Sequence, residues 1–276
     1  MEEFWARLYR PSSRPGPDYW TYYAERLVHL ADMPDRGRIL DIGTCDGNVL
    51  FKAMERVAAR AFGVGIDIDK DDFYAGFTEV IQHGWKGKIS FAQMDANALG
   101  FQTETFDAVL TNFLGFDDFY DFERMQFTGS DDIVSEIMRV LKPGGQVGIG
   151  SWVKQSDIDW IEEAFMKYLP EIFSHGGKGI SDYSRENPEG QKAILQNGGF
   201  ENIRVYVDTA DFVSPDLGTW WRQMERAAGE YFRQVNHPVR LTVFKEQVYA
   251  DLDQIRFTQG IRFSKSVSFA FGVKPV

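Results

Sequence analysis

Acidic and small residues cluster near residue 40, where they could hold a polar ligand. Residues 38–50 read RILDIGTCDGNVL: an apolar run ends in Asp41 and continues through Gly43 and Gly47 into an amphipathic stretch. This order predicts a buried strand that enters a helix N-terminus through a tight turn. Such a turn exposes backbone N–H groups that hold polar ligands, and glycine permits positive φ and close approach. We therefore expect a nucleotide-like cofactor here.

Further polar residues end the next predicted strands. Asp67 ends the second strand, twenty residues after Gly47, where a carboxylate can accept two ribose hydroxyls. Asp95 and Ala96 follow the third strand, and Asn112 ends the fourth. The carboxyl ends of parallel strands share one sheet edge, and open α/β folds bind ligands there. We therefore expect these side chains to converge.

The elements that must position these residues alternate along the chain. Predicted strands cover 38–42, 61–67, 89–94, 106–112, 145–152, 200–208 and 264–274. Predicted helices cover 17–32, 47–60, 69–83, 129–141, 155–168, 188–197, 215–233 and 239–256. Nearly continuous apolar strands are typical of a sheet covered by helices, and crossovers are right-handed. We predict an α/β fold: a doubly wound, mostly parallel seven-stranded sheet with helices on both faces and a last antiparallel edge hairpin.

We expect one structural domain with three segments. Residues 1–37 form an N-terminal helical lid or arm, and residues 38–152 form the cofactor-binding core. Residues 153–276 complete the sheet and add helices on the substrate side.

Composition restricts the partners. The net charge of −11 disfavours a nucleic-acid partner, because such a protein needs a basic face. The single cysteine, Cys45, excludes a disulfide framework and a multi-cysteine metal site. The chain shows neither a signal-peptide profile nor an apolar run of about 18 residues. We therefore expect a cytoplasmic protein without metal or stable membrane insertion; the sequence leaves its oligomeric state open.

Two other nucleotide-binding motifs fail on spacing. The dehydrogenase pattern Gly-x-Gly-x-x-Gly would need glycine at Cys45 and Asn48. A phosphate-binding P-loop needs Gly-Lys followed by Ser or Thr, and that tripeptide does not occur.

The ordered motifs resemble the class I S-adenosylmethionine-dependent methyltransferases, in particular the broad group that includes the ubiquinone/menaquinone C-methyltransferases. Residues 106–109 (FDAV) and 141–145 (LKPGG) match the fourth-strand and pre-fifth-strand signatures of that family. The resemblance covers residues 38–150 and implies S-adenosylmethionine as cofactor, S-adenosylhomocysteine as product and a small-molecule acceptor. The implied cofactor-binding residues are Asp41, Gly43, Thr44, Cys45, Gly47, Asp67, Ile68, Asp95, Ala96 and Asn112.

The resemblance also implies individual roles. Asp67 would hold the ribose, Asp95 and Ala96 would border the adenine, and Asn112 would lie under the methionine end. Cys45 departs from the family, which usually has glycine there. We interpret it as a small packing residue; a redox role is the alternative, because a helix N-terminus lowers a thiol pKa.

The stretch 113–127 indicates where the acceptor binds. It holds six aromatic and four acidic residues and exceeds the usual length of such a connection. One interpretation is a pocket lip for an apolar or cationic substrate, using its rings and Asp117, Asp118 or Asp121; the other is a satellite core. The candidate substrate residues are Phe113, Phe116, Phe119 and Trp152. Trp20, Tyr22, Tyr23 and Trp160 are further aromatics that either line the site or pack on the sheet.

No catalytic base is assigned. Of the four histidines, His29, His83, His175 and His237, only His175 follows the fifth strand in a position suited to the site. A surface histidine is the simpler interpretation. We expect a methyltransferase acting on an apolar or aromatic small molecule. The alternatives are a non-catalytic protein that binds or senses S-adenosylmethionine and an aminopropyl transferase like spermidine synthase.

Overall fold

The computed structural model describes residues 18–58, 60–71, 73–116, 119–129, 132–172, 186–235 and 237–276. The strands are β1 Gly37–Ile42, β2 Ala61–Asp67, β3 Ile89–Gln93, β4 Phe106–Asn112, β5 Tyr120–Asp121, β6 Gln126–Phe127, β7 Leu141–Gln155, β8 Glu201–Ser214 and β9 Ile261–Val273. The helices are α1 Tyr19–Leu30, α2 Asn48–Arg56, α3 Phe73–Gln82, α4 Asp132–Val140, α5 Ser156–Tyr168, α6 Pro188–Asn197, α7 Leu217–Ala227, α8 Gly229–Gln234 and α9 Pro238–Ile255.

Seven strands form one sheet in the order β3-β2-β1-β4-β7-β9-β8. In the middle of the sheet, Leu40 of β1 pairs in parallel with Val64 of β2 on one side and with Val109 of β4 on the other. The strand order therefore reverses between β1 and β4, the switch point at which doubly wound sheets bind ligands. An antiparallel pair completes one edge. The predicted fold class is confirmed.

Apolar spacing explains the helix that follows β1. In α2, Val49, Leu50, Ala53 and Met54 are buried, a spacing that places them on one helical face. The helix starts directly after Gly47, whose φ of 91° is left-handed. Glycine takes this conformation without a Cβ penalty, so the chain turns sharply from the end of β1 into α2.

The chain forms two compact units. Among the described residues, the larger comprises Trp20–Trp152, Glu186–Asp208 and Val267–Val276, and the smaller comprises 18–19, 153–172 and Thr209–Ser266. Each unit is assembled from separate stretches of the chain. The division of roles among residues 1–37, 38–152 and 153–276 therefore stays a prediction.

The smaller unit has an aromatic core of its own. Trp220 and Trp221 are buried there together with Phe165 and Phe244. Trp160 packs edge-on against Trp220, with ring centroids 5.3 Å apart. The structure thus places Trp160 among the aromatic residues of this core.

Several element boundaries differ from the sequence-based prediction. β7 begins at Leu141 rather than at residue 145, and its pairing with β4 shifts register between Phe106 and Ala108. The Pro-Gly-Gly segment therefore lies within the strand, at this break in the pairing, instead of before it. The predicted helix 215–233 is interrupted at Ala228, whose φ of −111° is not helical. Residues 1–17, Asp117, Asp118 and His175 lie outside the described residues.

The stretch 113–127 contains packed structure. β5 and β6 form an antiparallel pair in which Tyr120 faces Phe127. Phe116 is 0% exposed within the core of the larger unit, and its backbone N–H donates to Glu186 Oε1 at 2.6 Å. Phe119 is partly buried against the same core, 5.0 Å from the Phe116 ring. The Phe116 ring offers no surface to a substrate, so the satellite-core interpretation describes it better than the pocket lip.

Replacing Phe116 with Ala tests this placement. A fully enclosed phenylalanine leaves a cavity, so Phe116→Ala should lower the free energy of unfolding by about 3–5 kcal/mol. Tyr74→Ala is the control, because Tyr74 is 82% exposed, and its effect should stay within about 0.5 kcal/mol. Urea unfolding measures both. Equal small effects would show that Phe116 is not a core residue.

Candidate active site

The turn between β1 and α2 is built from left-handed residues. Gly43, Cys45 and Gly47 have φ values of 71°, 50° and 91°. The Thr44 N–H donates to Ile66 O at 2.9 Å, and the Gly47 N–H donates to Thr44 O at 2.7 Å. The first bond joins the turn to β2, and the second is a hydrogen bond within the turn. Cys45 is partly buried, and its backbone takes the left-handed conformation that glycine usually occupies.

Asp41 is enclosed at the end of β1. It is 1% exposed, and the Thr44 hydroxyl donates to its Oδ2 at 2.7 Å. Burial raises the pKa of Asp41 to about 7; the hydrogen bonds from Thr44 and from the Leu50 backbone oppose the rise, and the nearby charges of Asp67 and Asp46 add to it. Such a carboxyl group ionises more readily when a positive charge is placed beside it.

Asp67 joins the end of β2 to the glycine turn. Its Oδ2 accepts the Cys45 N–H at 2.9 Å, and its Oδ1 accepts the Asp69 N–H at 3.1 Å. A carboxylate has about four acceptor positions, so two remain for ligand hydroxyls. The hydrogen bond from the Cys45 N–H therefore holds the Asp67 carboxylate beside the turn, in an orientation suited to a ribose.

The residues after β2 and β3 form the more open part of the site. Ile68 is 70% exposed, and Ala96 is partly buried against the core. Asp95 Oδ1 accepts the backbone and side-chain N–H groups of Asn97, both at 2.9 Å. The backbone hydrogen bond from Asn97 is the main reason why the pKa of Asp95 is lowered, and the side-chain hydrogen bond is the second. An apolar side chain and a carboxylate at these strand ends are suited to one face and one edge of an adenine ring.

Asn112 ends β4 beside Gly150 of β7. The two residues are paired in register, and a Cβ on Gly150 would collide with Asn112 Oδ1. This oxygen is buried and has no hydrogen-bond partner among the residues that the structure describes. A buried acceptor without a partner is costly, so Asn112 fits a ligand that donates a hydrogen bond here, as the ammonium group of S-adenosylmethionine would.

Helix α1 is attached to the first turn of α2. Asn48 Nδ2 donates to Thr21 Oγ1 at 3.2 Å, and Lys52 Nζ lies 3.0 Å from Glu25 Oε1. Tyr22 points elsewhere: its hydroxyl donates to Asp208 Oδ2 of β8 at 3.3 Å. The helix therefore lies next to the glycine turn, and the sequence pattern did not reveal these polar contacts.

Aromatic rings from four parts of the chain meet at the end of β4 and beside Trp152 of β7. Phe113 and Trp152 stack with centroids 4.2 Å apart and planes at 13°. From α1, Trp20 lies edge-on to both rings, at 5.2 and 5.8 Å, and Tyr23 lies 5.5 Å from Trp152. Phe269 of β9 lies 6.3 Å from Tyr23. We call these five residues the aromatic cluster. Tyr23 and Phe269 are both 0% exposed and form the buried base of the cluster, whereas Trp20, Phe113 and Trp152 are partly exposed. The sequence pattern did not assign Phe269 to this cluster.

The described histidines lie at helix ends. His29 is in the last turn of α1, and His237 precedes α9. His83 follows α3 and stacks on Trp85 with ring centroids 4.5 Å apart. These placements give no reason to assign a catalytic base.

Comparison with known proteins agrees with this geometry. A family model described as a methyltransferase domain matches residues 35–190. The ubiquinone/menaquinone biosynthesis C-methyltransferase of Teredinibacter turnerae is 26% identical over 70% of this chain and 78% of its own length. That of Methylococcus capsulatus is 26% identical over 65% of this chain and 73% of its own length.

Solved structures share the fold. The YcgJ protein of Bacillus subtilis superposes with a TM-score of 0.56 and 15% identity, covering 92% of this chain and 99% of its own. A second structure is a phosphoethanolamine N-methyltransferase of Haemonchus contortus in complex with phosphomonomethylethanolamine and S-adenosylhomocysteine. It superposes with a TM-score of 0.53 and 20% sequence identity, covering 98% of this chain and 56% of its own.

The strand order with its antiparallel edge, the glycine turn and the carboxylates at the switch point, taken with these matches, show a class I S-adenosylmethionine-dependent methyltransferase. The match over residues 35–190 identifies the family more closely: the chain belongs to the methyltransferase-domain family. It is an enzyme that uses S-adenosylmethionine to methylate a small molecule. Among the described helices, none is both long and apolar enough to span a membrane.

Removing the Asp67 carboxylate tests its expected role. Asp67→Ala should weaken S-adenosylmethionine binding by about 100-fold, because it removes two charge-assisted hydrogen bonds. Isothermal titration calorimetry with S-adenosylmethionine and S-adenosylhomocysteine gives both affinities. Asp69→Ala, at the exposed neighbouring position, is the control. Unchanged affinity in Asp67→Ala would remove Asp67 from the cofactor site.

The raised pKa of Asp41 makes stability depend on pH. Between the pKa of the unfolded chain, about 4, and the folded value of about 7, the unfolded state releases a proton that the folded state retains. The wild type therefore loses up to about 4 kcal/mol as pH rises through this window and nothing further above it. Asp41→Asn lacks this loss, so its stability relative to wild type should rise from pH 4 to 7 and then level off. Urea unfolding without cofactor measures the difference; a difference independent of pH would contradict the prediction.

Proposed function

We propose that the methyl acceptor is a small apolar or aromatic molecule whose ring packs against the aromatic cluster. The observation that carries this proposal is the stacked pair Phe113 and Trp152, of which Phe113 follows Asn112 at the end of β4 and Trp152 follows Ser151 within β7. Aromatic side chains favour stacked and edge-on contacts with other rings. An acceptor ring that joins this cluster therefore lies beside the expected methionine end of the cofactor.

The names of the relatives support an aromatic acceptor. The curated relatives from Teredinibacter turnerae and Methylococcus capsulatus are C-methyltransferases of ubiquinone and menaquinone biosynthesis. Quinones are planar ring compounds, and a cluster of rings at the acceptor end suits a substrate of that shape.

The cofactor side of the proposal uses the residues predicted from sequence. Gly43, Thr44, Cys45 and Gly47 form the turn that receives the methionine end, and Asp41 provides a buried carboxyl for its positive charge. Asp67 binds the ribose hydroxyls, and Ile68, Asp95 and Ala96 border the adenine. Support comes from the bond between the Cys45 N–H and Asp67 and from the unpartnered Asn112 Oδ1.

When bound, S-adenosylmethionine supplies an electrophilic methyl group on a sulfonium. The residues of this chain then contribute alignment and exclusion of water. Phe113 and Trp152 orient the acceptor ring, and Asn112 holds the cofactor below it. Apolar rings around the reacting atoms limit access of water, which would otherwise surround a charged centre.

Helix α1 acts as a cover in this proposal. Its Trp20 and Tyr23 complete the aromatic cluster, and its Thr21 and Glu25 bond to the first turns of α2. One helix thus contacts both the acceptor side and the cofactor side. Movement of α1 would open both together, as a lid does.

The proposed acceptor site predicts that a change at Trp152 weakens binding of the acceptor but not of the cofactor product. Trp152→Ala should raise the KM for an aromatic acceptor by about tenfold, because a stacked ring contributes about 1 kcal/mol beyond the area that it buries. The affinity for S-adenosylhomocysteine should change by less than about threefold. Formation of S-adenosylhomocysteine with phenols and hydroquinones as acceptors, against ethanolamine as a non-aromatic control, measures the first effect; calorimetry measures the second.

Tyr206→Ala is the matched variant, because Tyr206 is an exposed aromatic residue of β8 in the same unit. It should leave both constants unchanged. Turnover of ethanolamine but of none of the ring compounds would contradict the proposed acceptor class, and an equal loss of both affinities in Trp152→Ala would contradict the role of Trp152.

A further inference from the structure

The sheet ends, on the side of the cofactor half, in a strand without an outer neighbour. β3 stands first in the strand order and pairs in parallel with β2 on its inner side. Within the described residues, no strand pairs with its outer side. We call this outer side of Ile89–Gln93 the β3 edge. The backbone N–H and C=O groups of an edge strand are available to another strand, so the β3 edge can extend the sheet.

Helix α3 presents three large side chains to solvent. Tyr74 is 82% exposed, Phe77 49% and Ile81 73%. Their spacing of three and four residues places them on one face of the helix. We call Tyr74, Phe77 and Ile81 the apolar stripe. Contiguous apolar surface of this kind marks an interaction site more often than a bare surface.

The apolar stripe lies on the side of α3 that is turned away from α2. A Cβ on Gly76 would lie 3.0 Å from the backbone oxygen of Asp46, just before α2, so this residue faces the α2 side. Phe77 is rotated from Gly76 by about 100°, and Ile81 and Tyr74 lie further round in the same direction. Helix α2 itself packs over β2, because a Cβ on Gly63 would lie 2.8 Å from Leu50 Cδ1. The apolar stripe therefore adjoins the β3 edge.

Charge changes sign along this surface. Asp69 and Asp71, with Lys70 between them, precede α3 at the carboxyl end of β2, and Asp95 follows the carboxyl end of β3. Lys86 and Lys88 lie between α3 and β3, at the amino end of β3. One end of the surface is thus acidic and the other basic, with the apolar stripe between them.

We propose that the β3 edge and the apolar stripe form a two-fold interface with a second copy of this chain. A two-fold axis across the surface places each β3 antiparallel to that of the partner. The two apolar stripes then pack on each other, with Tyr74 of one copy facing Ile81 of the other. The acidic end of each copy meets the basic end of the other.

Self-complementarity is the reason for choosing a second copy as the occupant. Antiparallel pairing joins apolar to apolar surface at the centre and acid to base at both ends, as an isologous contact requires. An anionic lipid surface would be repelled by the acidic end. Three side chains and a five-residue strand are a small contact beside the roughly 800 Å² per partner of a stable interface. The dimer should therefore dissociate on dilution.

Size-exclusion chromatography with light scattering measures this at increasing protein concentration. The mass of the wild type should rise from 31.6 kDa toward twice that value. Ile81→Lys should increase the dissociation constant by at least about tenfold, because it places a charge among apolar side chains. In dilute solution its thermal unfolding should match the wild type, since Ile81 is exposed in the single chain.

A charge exchange tests the antiparallel orientation. Lys86→Glu and Asp71→Lys should each weaken self-association, because either change puts like charges together at both ends of the interface. Mixed in equal amounts, the two variants should form a heterodimer with wild-type affinity, since each end then joins an acid to a base. Failure of the mixture to associate would overturn the proposed arrangement.

Val243→Lys is the control, because Val243 is a 48% exposed apolar residue of α9, and it should keep the wild-type constant. A wild type that stays monomeric, or association unaffected by Ile81→Lys, would overturn the proposal; the proposed function would stand. Sedimentation with vesicles of phosphatidylcholine and phosphatidylglycerol separates the other occupant. A monomer that binds these vesicles, and loses that binding in Ile81→Lys, would assign the apolar stripe to a lipid surface instead.

Discussion

The reversal of strand order between β1 and β4 is the constraint on which the rest of the site depends. β1 pairs in parallel with β2 on one side and with β4 on the other, and chain connections leave in opposite directions from this point. The edge there stays open, so the glycine turn after β1 and Asn112 after β4 border the same crevice. A shift of one residue in the β1–β4 register would turn their side chains to the other face.

The glycine turn converts this crevice into a site for a cationic cofactor. Its left-handed residues let Thr44 bond to Asp41 and Cys45 bond to Asp67. The carboxyl group of Asp41 is thereby buried, and that of Asp67 is held beside the turn. Burial makes ionisation of Asp41 unfavourable, and a positive ligand lessens that cost. If Asp41 binds the cofactor as proposed, the same desolvation that lowers the stability of the free protein strengthens attraction for the sulfonium of S-adenosylmethionine over S-adenosylhomocysteine, which lacks that charge.

Local patterns predicted the cofactor half of the structure well. β2 and β4 occupy the predicted residues 61–67 and 106–112, because apolar runs that end in polar residues determine both strand and turn. The acceptor half depends on contacts between distant parts of the chain. Phe116 reads as a loop residue until α6 and the β5–β6 pair enclose it, and Phe269 joins the aromatic cluster only through β9. Pairing register between distant strands has no local signal, so these placements required the structure.

Side chains alternate between the two sheet faces along β4 and β7, so the same strands supply both the open site and the core. Asn112 contacts Gly150 on one face, while Thr111 and Ser151 lie in the core on the other. Each strand thus carries a polar core residue, Thr111 or Ser151, followed by a residue of the open site, Asn112 or Trp152. Tight packing alone would favour apolar residues at Thr111 and Ser151, since an unpaired buried hydroxyl is unfavourable. The same alternation that turns Thr111 and Ser151 into the core turns Asn112 and Trp152 toward the open site, so one register determines both surfaces.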